Sequence, residues 1–180
     1  MEINIENIKA AYRVADESGM KILRMLVPNL EEIIPVKDRI KTLTDAYNAL
    51  GRSHPLVKNF ANLEHYDENL FAFVRLRIIC AALNEGWIAK PEDNGGYYPG
   101  FKFFTSEEVK RVKGEAVYDL HFLEPKFDTK YVAVDCTFTS SLTLENCLLL
   151  KTPELAKYCG KRFIGLWMDY LLPIKGNNQE

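Results

Sequence analysis

Asp67-Glu68-Asn69-Leu70-Phe71-Ala72-Phe73-Val74-Arg75-Leu76-Arg77-Ile78-Ile79-Cys80-Ala81-Ala82-Leu83-Asn84-Glu85-Gly86 is the stretch on which the fold turns. Its apolar residues fall into two stripes at helical spacing. Leu70, Val74, Ile78 and Ala81 make one; Phe73, Leu76, Cys80 and Leu83 make the other. Arg75 and Arg77 are almost its only interior charges. A helix that is apolar on most sides has to be buried on most sides. Asp67 suits the N-cap and Gly86 the stop, so the sequence predicts a long central helix running to Glu85, with the rest of the chain packed around it.

Upstream, helical spacing continues. Ile5, Ile8, Ala11/Tyr12 and Ala15 recur on one face, and Ser18-Gly19 interrupts them. Met20, Leu23, Leu26 and Leu30 extend the stripe, with Pro28 breaking or restarting it and Pro35 marking another boundary. Ile40, Leu43, Tyr47 and Leu50 predict a helix that ends on Gly51 as its C′ residue. Residues Arg52–Tyr66 read as an ordered connector.

Downstream the pattern changes to strands. Trp87–Phe104 carries Pro91, Gly95, Gly96, Pro99 and Gly100 among six aromatic rings and reads as an aromatic loop, followed by a helical turn at Ser106–Val112. Ala116–Leu123 alternates, with Tyr118, Leu120 and Phe122 on one face and Asp119 and His121 on the other. Tyr131–Phe138 alternates too, with Asp135 on its polar face; Glu124–Lys130 is the hairpin loop between them, and Asn146–Leu150 reads as a third strand. A closing helix is expected over Pro153–Leu172, capped by Thr152, with Pro153 at its first position and Glu154 meeting the positive end of the dipole. Gly160 in its interior weakens it by about 1 kcal/mol relative to alanine, yet with Ala156 it forms a small-residue strip that admits a close neighbour. The expected fold is therefore α+β. Its mostly helical N-terminal half surrounds the central buried helix, a small antiparallel sheet forms the second half, and the C-terminal helix packs on that sheet. One domain over residues 1–175 is expected, with 176–180 a frayed tail.

Composition bounds the function. The chain has 180 residues, 47% of them apolar and 12% aromatic, enough to bury a real core. Its net charge of −2 gives no global field toward nucleic acid. The start Met1-Glu2-Ile3-Asn4 has neither the basic end nor the apolar run of a secretory leader. The longest uncharged run, Cys136–Leu144, is about half a membrane span. A soluble, cytoplasmic protein without membrane association is expected. Cys80, Cys136, Cys147 and Cys159 form no C-x-x-C pair and are expected to be reduced and packed in the core. His54, His65 and His121 show no metal-ligand spacing, and neither a phosphate loop nor a nucleophile elbow occurs. No metal and no cofactor is expected.

Two constellations stand out. On an antiparallel hairpin, Asp119, His121 and Asp135 share the polar face. One register sets His121 across from Asp135 to orient an imidazole for base chemistry; another sets Asp119 across from Asp135 to share a proton or hold a metal. The alternative is an ordinary solvated sheet face. The second constellation joins rings and cations: Trp87, Tyr97, Tyr98 and Lys102, then Lys110, Arg111 and Lys113. Stacking surfaces beside positive charge are what single-strand binders use, whereas the plainer role for these rings is to wedge between helix and sheet.

Leu76-Arg77-Ile78-Ile79-Cys80-Ala81-Ala82-Leu83-Asn84-Glu85-Gly86-Trp87 resembles a helix-end signature of an uncharacterised family of proteins from gut-bacterial phages, prophages and mobile elements. Tyr97-Tyr98-Pro99, the Tyr47–Gly51 helix end and Lys151-Thr152-Pro153-Glu154-Leu155-Ala156-Lys157-Tyr158-Cys159-Gly160-Lys161-Arg162-Phe163 are similar to segments of the same family. The likeness extends over about two thirds of the chain. Leu150 stands where the family has an aromatic and Cys159 where it has alanine, and Ser106–Asn146 matches only loosely. The resemblance implies a mobile-element origin and a compact fold; it carries no activity and so no catalytic residue. The function expected is that of a non-catalytic accessory protein acting through a protein partner or self-association. The alternatives are nucleic-acid binding through 87–104 and 110–113, and a small hydrolase or metal site at Asp119, His121 and Asp135.

Overall fold

The computed structural model describes residues 4–60, 67–90, 95–112, 118–141 and 147–174. The chain divides into two compact units, Met1–Arg39 and Ile40–Glu180.

The first unit is helical: α1 (Ile5–Val14), α2 (Glu17–Leu26), α3 (Leu30–Ile33) and α4 (Val36–Arg39). Asn4 caps α1 by accepting from the Glu6 N–H, and Asp16 caps α2 by accepting from the Gly19 N–H; the break therefore falls at Ala15-Asp16, and Ser18-Gly19, expected to interrupt the helix, lie in the first turn of α2. Pro28 lies between α2 and α3, as a residue lacking its N–H should. Ile8, Val27, Leu30 and Ile34 form the buried cluster, with Tyr12, Met20, Leu23 and Ile33 packed against it. Arg39 closes the unit, donating to the Ile34 carbonyl at 3.0 Å and pairing with Glu31 at 2.9 Å.

The second unit is the α+β body, built around α7 (Glu68–Asn84). Asp67 accepts from the Leu70 N–H, and the helix ends with Glu85 left-handed at φ 50° and Gly86 at φ 84°. Leu76, Ile78, Ile79, Cys80 and Leu83 on α7 are all fully enclosed. Two helices precede it. The first, α5 (Leu43–Leu50), starts with a reciprocal Thr42–Asp45 capping box and stops at Gly51, φ 77°. The second, α6 (Pro55–Phe60), makes a helix of part of the expected connector, whose residues 61–66 lie outside the described residues. An aromatic ladder binds them to α7: Tyr47 meets Phe60 edge-on, Phe60 lies 5.0 Å from Phe71, and the Arg75 guanidinium covers the Phe71 ring at 4.1 Å. That explains one of the two interior charges of α7.

The sheet is antiparallel with strand order β1-β3-β2: β1 (Gly96–Phe104), β2 (His121–Phe122) and β3 (Ala133–Ser141), with α8 (Ser106–Val112) after β1. Gly96–Phe104 had read as loop; it is instead a strand paired along its whole length with β3, from Gly96↔Ser141 to Phe104↔Ala133. Pro99 is accommodated because β1 is an edge strand, where a missing N–H need not interrupt a ladder. The expected strand over Asn146–Leu150 is not formed at its described residues. Leu150 makes a single bridge to Tyr97, with N–H···O bonds of 2.7 and 2.9 Å in the two directions.

The closing helix is two helices. α9 (Pro153–Arg162) begins on the Thr152 cap, and the chain bends at Phe163 into α10 (Ile164–Leu171). α9 lies on β1 and β3, while α10 and α5 lie on α7. Phe101 of β1 packs on Trp167 of α10 at 5.7 Å. Thus Pro99, Phe101, Val134 and Cys136 look toward the helices. The expected tail, 176–180, lies outside the described residues.

Candidate functional site

The hairpin register decides the first constellation. His121 pairs with Val134 and Phe122 with Ala133. That is one residue away from either expected arrangement, and a one-residue step exchanges the faces of a strand. His121 therefore shares the face of Val134, and Asp135 points from the opposite face of β3. No hydrogen bond joins His121 to Asp119 or Asp135. Asp119 instead reaches α9: Lys161 donates to its Oδ2 at 2.5 Å, while its backbone N–H reaches Asp135 Oδ1 at 3.3 Å. That hydrogen bond, reinforced by the charge, holds the Asp119 carboxyl below the usual carboxylate range and the Lys161 ammonium above its own. Phe122, expected on an apolar core face, is 63% exposed. Among the described residues no group of three His, Cys, Asp or Glu side chains is placed to hold a metal.

The rings and cations disperse as well. Strand alternation sends Tyr97 and Tyr98 to opposite faces of β1, and Tyr97 meets Phe138 edge-on at 6.2 Å. Trp87 lies against Gly96, where an added Cβ would meet its ring at 3.1 Å. Lys102 donates to the Tyr118 hydroxyl at 3.0 Å and covers the Phe104 and Tyr118 rings, and this hydrogen bond raises its pKa. Lys110 and Arg111 are exposed on the last turn of α8. Lys113 lies outside the described residues.

A different place gathers chemistry that the sequence did not connect. Beside the C-terminal end of α7 is a cleft of about 510 Å³, whose wall includes Leu50, His54, Arg77, Trp87, Cys147 and Leu149. Cys147 had been expected in the core with the other cysteines. It is exposed, while Cys80, Cys136 and Cys159 are buried. No histidine could be placed near it from sequence, yet His54 lines the same cleft. The Leu56 N–H donates to His54 Nδ1 at 3.3 Å, so a neutral His54 carries its proton on Nε2. Asn84 also lines the cleft, its amide donating to the Leu149 carbonyl at 2.8 Å and accepting from the Lys151 N–H at 3.1 Å. The wall comes from three separate stretches of chain, 50–56, 77–89 and 147–149, which is why spacing alone could not reveal it.

Among the described residues, no helix is long and apolar enough to cross a membrane. No protein-family model matches the chain, and neither a curated protein nor a solved structure matches it.

Proposed function

We propose that this chain is a non-catalytic accessory protein of a phage or mobile element, which works by binding another protein. The observation that carries the reading is the outward face of α2. Met20 and Leu23 of that helix pack on the buried cluster of the first unit. Ile22, Met25 and Leu26, at i, i+3 and i+4, lie on the other side and are 56%, 81% and 65% exposed. A helix apolar on both sides, with one already used in its own core, has a second face suited to a partner. Methionine in such a face favours adaptable packing. The family resemblance of the central and closing helices supports the mobile-element origin.

The test is association with and without that face. Light scattering over a rising concentration series, together with affinity capture from the native host, should reveal a complex in the wild type that Met25→Glu/Leu26→Glu loses while keeping its circular dichroism. A wild type that stays monomeric and captures nothing the double variant fails to capture overturns the reading. Nucleic-acid binding keeps less support, because Lys102 is engaged with Tyr118 and the rings do not form one platform.

A further inference from the structure

The geometry points to the cleft beside the end of α7 as a binding site for a small organic monoanion with an aromatic or branched apolar body. Its volume of about 510 Å³ falls within the rough 300–1,000 Å³ span of small-molecule sites. Most of its lining is apolar, from Leu50, Leu56, Ala81, Ile88 and Leu149, with Trp87 among them. Among the described residues on that wall, Arg77 is the only one of the Lys, Arg, Asp and Glu types. Arg77 has no carboxylate partner among the described residues; its guanidinium lies 5.9 Å from the Phe73 ring, which leaves its hydrogen-bond donors available. Arg77 is half-buried and lines this largely apolar cleft; a guanidinium in such a setting selects a carboxylate or sulfonate, because its planar fork matches two oxygens and dry surroundings strengthen the pair.

The other polar groups sort in the same direction. The Asn84 amide is consumed by Leu149 and Lys151, so it offers nothing to a ligand. His54, with Nδ1 engaged by the Leu56 N–H, presents a donor at Nε2. Both available groups donate, which suits an anion and disfavours a cation. The site is separate from the α2 face and stands or falls without it.

Cys147, the exposed thiol on the wall, supplies the readout. Anilinonaphthalene sulfonate joins an aromatic body to one sulfonate, and N-phenylnaphthylamine is its uncharged counterpart. On the full chain, the sulfonate probe should slow alkylation of Cys147 by iodoacetamide in a saturable way. Arg77→Met should weaken that protection about tenfold for the sulfonate and leave protection by the neutral probe unchanged. Arg77→Lys, which keeps the charge, should retain most of it. The proposal is overturned if saturating sulfonate leaves the Cys147 rate unaltered in the wild type, or if Arg77→Met weakens both probes equally or neither. The wild-type arm needs no variant to fold.

Discussion

A methyl group placed on Gly160 of α9 would overlap the Cys136 sulfur of β3, and it would also come within 2.7 Å of the Pro99 Cβ. Helix and sheet are in close contact at this glycine, with Ala156 fully enclosed one turn earlier. Elsewhere in a helix interior, glycine to alanine gains about 1 kcal/mol. Here the overlap reverses the sign, because packed interiors charge roughly 1–3 kcal/mol for an extra methyl group. Gly160→Ala should lower the urea midpoint. Adding Cys136→Ala should recover only part of the loss, since Pro99 remains in the way. A Gly160→Ala protein as stable as the wild type would show that the helix is free to lift off the sheet.

Asn84 is a buried polar side chain that follows the apolar run Ile78–Leu83 at the end of α7. Its amide satisfies the Leu149 carbonyl and the Lys151 N–H together, fastening the segment that leads into α9. Asn84→Leu keeps the volume but strands both backbone groups, at about 1–3 kcal/mol for each group left unpaired. Asn84→Asp keeps the acceptor yet sets a charge against the Leu149 carbonyl, and it should be at least as damaging. Chemical denaturation of the two variants measures this. A loss under about 0.5 kcal/mol in Asn84→Leu would mean that the Leu149–Lys151 strip is not held by this side chain.

What was legible follows from locality. The central helix, the Gly51 stop, the Thr152 cap and the close approach at Gly160 each depend on residues within a few turns of one another, and each could be read from spacing. Gly96–Phe104 could not, because glycine and proline density signals a loop unless a partner strand is known to cover one side and leave the other open. The register of His121 likewise depends on β3, whose faces are set by β1 and the helices and not by the hairpin alone. Cys147 and His54 share a cleft only because α7 brings their distant segments together, and no periodicity carries that information. In the last helix, Phe163 interrupts a pattern that the sequence runs straight through.

Burial should make the thiols behave as two classes. Burial pushes the Cys136 thiol up to about 12, with Lys161 opposing it. Cys80 is raised well above its ordinary range, first by its hydrogen bond with Cys159 and then by burial. In the native state, a thiol reagent should therefore modify Cys147 alone among the four cysteines and reach all four in urea. An unfolded thiol titrates near about 8.5. Above that pH the unfolded chain has released protons that the folded chain still holds, so stability present below it declines as pH rises toward the folded values. Urea midpoints should fall between neutral pH and about pH 10, and Cys136→Ala should flatten the fall. Rapid native labelling at Cys136 would refute the enclosed sheet–helix contact.

The Lys161–Asp119 pair ties α9 to the chain entering β2, and its energy decides whether Asp119 is part of the scaffold or only decorates it. The Asp119 side chain is 75% exposed and that of Lys161 37%, so water screens most of the attraction. The folded pKa of Asp119 lies below its unfolded value near about 3.9. Its contribution is thus present above that pH and disappears as pH falls through the lowered value. The folded pKa of Lys161 is raised, so its contribution is present below about 10.4 and disappears as pH climbs through the folded value. Between these limits the pair should give a flat stability profile. A double-mutant cycle with Asp119→Asn and Lys161→Met should return a coupling of no more than about 1 kcal/mol, and molar salt should reduce it. A coupling well above that, insensitive to salt, would mean that the pair is shielded from water and that the edge of the sheet near β2 is packed far more tightly than its exposure indicates.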